Sequence, residues 1–185
     1  REIRPVVARY TPGGEPDRRF SGDGVAKLGK FPLGASLGAV AIQPDGKAIY
    51  AGYCYDCPLA GDGRSTLLLR VGTDGAPDPT FSGDGWIRES TGDLGTLSTA
   101  VIAVDGAGRI VLQGDLGGQS ALLRLTPSGA LDSTFGGGDG VVTFPRPVGL
   151  SNPDELAIDG SSGAIYWSYF SAAGPNQNFS TVQRF

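Results

Sequence analysis

Residues 67–85 read LLLRVGTDGAPDPTFSGDG, and this stretch decides the fold because the chain carries it three times. An apolar run ends at Arg70, a Gly/Asp/Pro-rich segment follows, and Phe81 leads into a closing Gly-Asp-Gly. The earlier copy runs from VVARY at 6–10 to RRFSGDG at 18–24, and the later one is LLRLTPSGALDSTFGGGDG at 122–140. Arg9, Arg70, Arg124 and a fourth copy, Arg184 in the closing TVQRF, are spaced 61, 54 and 60 residues apart. Self-similarity at a steady period marks a repeat architecture.

Between these copies lie VAIQPDGKAIYAG at 40–52, VIAVDGAGRIVLQG at 101–114 and LAIDGSSGAIYWS at 156–168. Each is a pair of apolar runs about a polar turn, and Pro44-Asp45-Gly46-Lys47 is a hairpin signal. The first full unit therefore reads as four strands: AVAIQ, AIYAGY, STLLLRV and WIRES. The second repeats them as STAVIAV, RIVLQG, QSALLRL and GVVTF, and the third gives DELAIDG, AIYWSY and FSTVQRF. Four short antiparallel strands per unit of this length is the pattern of a β-propeller blade. Such a sheet is apolar on both faces and needs neighbours to lean on.

Composition agrees. The 185 residues include 31 glycines and 13 prolines, nearly a quarter of the chain, against a usual share of about 12%, and both types disfavour helix. Eight of the aspartates (Asp23, Asp45, Asp62, Asp74, Asp84, Asp105, Asp139, Asp159) directly precede glycine, the chemistry of tight turns. With 39% hydrophobic residues the chain has material for a core, and no apolar run approaches the length of a membrane span. A net charge of −4 argues against sequence-independent nucleic-acid binding. There is no methionine, so Arg1 is no initiator, and we expect a processed or excised piece of a longer precursor. There is no histidine, the commonest general base and metal ligand, which weighs against an enzyme.

The blocks QPDGKAIYAG, LLLRVGTDGAPDPTFSGDG and LLRLTPSGALDSTFGGGDG resemble the bacterial delta-sixty repeat, a propeller-like repeat of large, often secreted or surface-associated proteins. The resemblance covers nearly the whole chain. It implies a fold and an extracytoplasmic location (secreted, periplasmic or cell surface), and it implies no catalytic residues.

We expect one all-β domain over 1–185, divided into a partial blade (1–30), two blades (37–90 and 98–144) and an incomplete blade (154–185). About three and a half repeats are too few for a ring of about four to eight blades. The expected partner is another protein or a second copy that completes the propeller.

The candidate chemistry is sparse. Asp17 with Asp23, Asp78 with Asp84 and Asp132 with Asp139 place two carboxylates on each Gly-rich loop, ingredients of a Ca²⁺ site. The competing reading is that each Asp caps its own turn while Phe20, Phe81 and Phe135 anchor the loops, and no cofactor is expected. Cys54 and Cys57 in CYDC read as a local disulfide in an oxidising compartment, since nothing completes a zinc shell. The repeated arginines suit a lined channel or an anion site; pairing with an Asp of a neighbouring turn, setting register between blades, accounts better for their equivalence. Tyr166, Trp167, Tyr169, Phe170 and Trp86 are candidates for a carbohydrate-stacking platform, or for gap filling between blades. Glutamate is scarce and no two acids are placed as a glycosidase needs. The expected function is a non-enzymatic structural or interaction module, with a lectin-like carbohydrate binder second and an aspartate-using hydrolase last.

Overall fold

A computed structural model describes residues 5–29, 35–55, 64–89, 101–116, 118–145, 150–172 and 178–184. Among these residues there is no helix, and the strands form four antiparallel sheets in chain order. The first sheet pairs β1 (Val6–Ala8) with β2 (Val25–Lys27). The second is β3 (Ala35–Ile42), β4 (Ala48–Tyr55), β5 (Arg64–Val71) and β6 (Trp86–Glu89), each paired with the next. The third repeats this with β7 (Val101–Val104), β8 (Ile110–Leu116), β9 (Gln119–Leu125) and β10 (Val141–Phe144). The fourth holds β11 (Leu150–Ile158), β12 (Ile165–Ala172) and β13 (Asn178–Arg184). These are propeller-type blades, two of them complete. The last starts at Leu150, ahead of the expected 154, because β11 carries Pro153 through register shifts on either side of it.

The first strands of successive sheets lie against one another, β3 on β7 and β7 on β11. The PDGK hairpin forms as its sequence dictates: Gly46 takes φ 83 and donates to the Gln43 carbonyl at 2.8 Å, while Asp45 accepts from the Lys47 amide.

Alternation along each strand sends apolar residues to both faces, and the core is accordingly a series of layers between sheets. Val7, Phe20, Ala26 and Leu28 of the first sheet pack on Leu69 and Val71 of the second. Ile49, Ala51, Leu68, Phe81 and Ile87 meet Ile102, Ile110, Leu112, Leu123 and Leu125 of the third. Val111 and Leu122 meet Ile165 and Trp167 of the fourth. Leu68 and Leu69, adjacent in sequence and both 0% exposed, thus serve opposite layers. At about 25 cal/mol per Å² of apolar area removed from water, these layers are what holds the blades together.

Candidate functional site

The polar residues singled out by the repeat converge on one structure, a joint built three times. After the third strand of a sheet, the chain turns back through the Asp and Phe of the repeat before entering the fourth strand. In the second blade Arg70 donates its amide to Gly85, Asp78 to Arg70, Phe81 to Asp78 and Gly85 to Phe81, at 2.8–3.0 Å. The same four bonds recur from Arg9, Asp17, Phe20 and Gly24, and from Arg124, Asp132, Phe135 and Gly140. Inside each loop the arginine Nε approaches the aspartate Oδ2, at 3.0 Å for Arg9–Asp17, 2.9 Å for Arg70–Asp78 and 2.7 Å for Arg124–Asp132. Each guanidinium also lies over the ring of its Phe, 4.9, 5.0 and 4.6 Å from the centroid.

The joint reaches the next blade. Arg9 Nη1 donates to the Thr73 carbonyl at 2.8 Å, and Arg70 Nη1 donates to the equivalent carbonyl of Pro127. Ser21 and Ser82, at φ 53 and 51, donate their amides to Asp74 O and Ser128 O. Non-glycine residues seldom occupy that region; the third blade has Gly136 there at φ 65. A glycine follows each acceptor. Gly129 (φ +97) sits so close to the blade before it that a Cβ would lie 2.7 Å from Phe81 and 2.9 Å from Ile87. Gly75 (φ +90) meets Ser21 and Ala26 in the same way. Gln43 adds a buried bond across the second layer, donating to Gly108 O at 2.8 Å.

Charge is balanced at each joint. Lys47, from the hairpin, lies 3.0 Å from Asp78, and Arg109, its counterpart in the third blade, lies 4.0 Å from Asp132. Burial pushes the Asp78 carboxyl up, but bonds from Lys47 and Thr80 and the nearby Arg70 outweigh it and hold the group at about 2. A side-chain bond from Arg19 takes Asp17 to about 2 as well, and Thr134 lowers Asp132. The second acid of each loop does separate work: Asp23, Asp84 and Asp139 accept from the amides of Val25, Trp86 and Val141 at 2.8–2.9 Å. The paired acids that are candidates for Ca²⁺ are divided between an ion pair and a turn cap. Among the described residues no group of three metal-ligating side chains forms.

The arginines pair with the Asp of their own turn and reach the neighbouring blade through Nη1, so register between blades runs through carbonyls rather than through a neighbour's carboxylate. Sequence reading missed Lys47, Arg109, Gln43 and the two positive-φ serines; the Lys/Arg identity at one place in both hairpins was the available signal.

Of the aromatic candidates whose side chains are described, Trp86 packs in the first layer and Trp167 in the third, apart from each other. Trp167 is 2% exposed and packs on Phe144, ring centroids 5.0 Å apart, because it occupies the layer position that Leu112 fills one blade earlier. Its ring offers no free face to a sugar. Trp86 is half-buried against the first blade, with Arg88 over its ring at 5.1 Å. Tyr166 is half-buried at a shallow groove of about 110 Å³ with Glu155, Ala157, Trp167 and Ser168. The side chains of Tyr169 and Phe170 lie outside the described residues, as does Cys57; Cys54 is buried. A larger groove of about 580 Å³ opens beside Arg9, Tyr10, Pro12 and Arg19. No described helix is long and apolar enough to cross a membrane.

Residues 43–81 and 108–135 match a family described as a domain of unknown function (DUF5122) beta-propeller, so the chain is built of propeller-type repeats. No curated protein matches the sequence. The fold is similar to that of a solved protein of unknown function from Bacteroides caccae, at 13% identity and TM-score 0.45, over 86% of this chain and 50% of that one. It is also similar to polysaccharide lyase Uly1, at 11% identity and TM-score 0.40, over 84% of this chain and 29% of that one. The chain thus spans half of the first protein and less than a third of the second. At those values neither likeness bears on activity.

Proposed function

We propose that this chain is a non-enzymatic structural or protein-interaction module of the delta-sixty repeat type, working outside the cytoplasm of a bacterium and completed by a protein partner or a second copy. One observation carries this reading: the arginine–aspartate pair recurs in three loops with equivalent geometry, and in two of them the arginine also donates to a carbonyl of the next blade. An enzyme concentrates its unusual residues in one place. Asp17 and Asp78, held at about 2 by their cationic and hydroxyl partners, do not suit the proton-donor role of a hydrolase, which needs a raised carboxyl pKa. The oxidising location rests on Cys54 and Cys57, which we pair as a disulfide closing the CYDC loop.

A panel of chromogenic polysaccharides tests the reading. No turnover is expected; turnover abolished by Asp78→Asn or Asp132→Asn in a protein that remains folded would replace the module with a hydrolase. Carbohydrate binding stays as the second reading because of the groove at Tyr166. A glycan array separates the two, since a lectin retains a glycan and loses it on Tyr166→Ala.

A further inference from the structure

The three joints share a backbone but not a surface, and the first departs from the other two around one groove. Tyr10 stands where Val71 and Leu125 stand, each in the same antiparallel bridge, to Pro16, Pro77 and Leu131. Val71 and Leu125 are 0% exposed, whereas Tyr10 is 61% exposed. Arg18 and Arg19 take the places of Pro79-Thr80 and Ser133-Thr134. Thr80 and Thr134 are uncharged and serve the joint alone: each accepts from its arginine's Nη2 and donates to its aspartate. Residues that serve stacking recur with the repeat. These three break it together and lie at one opening.

The opening is formed between the first joint and the turn of the next blade. About 580 Å³ is bounded by Arg9, Tyr10, Pro12 and Arg19 on one side and by Thr73 and Asp74 on the other, within the range of ligand-binding clefts. Arg19 donates Nε and Nη2 to Asp17 at 3.0 and 3.1 Å, and so supplies the second cation that Lys47 supplies to Asp78. The two cations are held differently. Lys47 lies between two carboxylates with its side chain 30% exposed. The Arg19 side chain is 82% exposed, and its Nη1 makes no bond among the described residues. Arg18 beside it is exposed and makes none either. Neutralising Asp17 thus uses one edge of the Arg19 guanidinium and leaves Nη1 to donate outward, where the planar fork suits a carboxylate.

The cluster binds rather than reacts. Its one buried acid, Asp17, is spent on two arginines, which leaves it neither a proton to give nor oxygens for sugar hydroxyls. What stays unspent is positive charge beside an exposed ring, and tyrosine with arginine is the pairing that anchors protein partners: a rigid ring with a polar tip, and a fork of donors.

We infer that this groove is the docking site for an acidic segment of a partner protein. One Asp or Glu carboxylate of the segment accepts from Arg19 Nη1, a second pairs with Arg18, and an apolar side chain lies on Tyr10 and Pro12. The inference rests on the protein-interaction reading and names its surface and the chemistry of its partner. A chain of net charge −4 repels an acidic segment elsewhere, so the arginines set where it docks as well as how tightly.

Panning a library of random peptides against the 185-residue chain tests this, with the best peptide then labelled and titrated. Asp and Glu should be enriched among the retained peptides. Arg19→Thr and Tyr10→Val restore the residues of the second joint, and each should weaken the peptide about tenfold or more in a protein that still unfolds cooperatively in urea. Arg18→Ser alters a side chain that holds nothing within the chain and should also lose affinity. Arg88→Gln removes a positive charge outside the groove and should leave the affinity unchanged, and added NaCl should weaken binding to the parent. Failure to retain any peptide, retained peptides without acidic enrichment, or an affinity indifferent to Arg19→Thr and Arg18→Ser overturns the proposal. So does binding of an oligogalacturonate that the same variants abolish, which would make the groove a sugar site. Turnover of a polysaccharide would remove the module reading itself, whatever the peptides do.

Discussion

Gly129→Ala probes the contact on which blade stacking depends. The substitution has two consequences that a matched control separates. An alanine at positive φ costs about 1–2 kcal/mol through the clash of Cβ with its own carbonyl. Gly129 is at φ +97, and Gly83, at φ +90 in the preceding loop, shares that cost but has nothing within 4 Å of a built Cβ. At Gly129 the new methyl would also lie 2.7 Å from Phe81 Cε2 and 2.9 Å from Ile87 Cδ1, two buried core atoms with no slack. Overpacking of this kind costs about 1–3 kcal/mol. Gly83→Ala should therefore lose about 1–2 kcal/mol and Gly129→Ala about 2–5 kcal/mol. Urea unfolding followed by the fluorescence of Trp86 and Trp167, which sit in the first and third layers, reads both variants on one scale. Equal losses in the two variants would refute the reasoning, because they would mean that the Gly129 turn does not press on the second blade.

The same layers yield other outcomes. Arg70→Ala removes the 2.9 Å partner of Asp78 at a site where the arginine side chain is 4% exposed but leaves Lys47 at 3.0 Å, and should cost about 1.5–3 kcal/mol; Arg9→Ala, at 33% exposure, should cost about 1 kcal/mol or less. Because Asp78 is held at about 2, below its ordinary 3.8, its stabilisation is present above pH ~4 and fades as the pH falls towards 2. Thermal melts should show Tm dropping across that window, and Asp78→Asn should lower Tm at pH 6 and flatten the drop. Trp167→Ala should cost about 3–5 kcal/mol by emptying the third layer, seen as a lower urea midpoint. Adding CaCl₂ in excess, or EDTA, should move Tm by no more than the scatter between scans, since arginine and lysine already neutralise the loop carboxylates.

Much of this was legible in the residues. The Asp-Gly turns, the PDGK hairpin and the alternation of Leu67–Val71 follow from local chemistry, so strand count and sheet order could be read from spacing. The arginine period was equally plain, but its partners were not. A carboxylate eight residues on in the same loop and a carbonyl in the next blade are both compatible with that spacing, and only the return of the loop onto β5 selects them. Trp167 carried two readings in the sequence, ligand contact and gap filling between blades, and only the stacking of the third and fourth sheets shows it buried at the Leu112 position. Pro153 hid the start of β11 because proline reads as a break. Burial belongs to the stacking of whole sheets, and no window of neighbouring residues reports it.

The central physical claim is that a blade of this chain owes its stability to its neighbours. Residues 35–89, a single complete blade made alone, measure that most directly. Ile49, Leu68 and Phe81 on one face and Leu69 and Val71 on the other, all 0% exposed in the chain, would then face water. The isolated blade should give the circular dichroism of an unfolded chain with no cooperative melt. A cooperative transition with dispersed amide resonances would contradict the account.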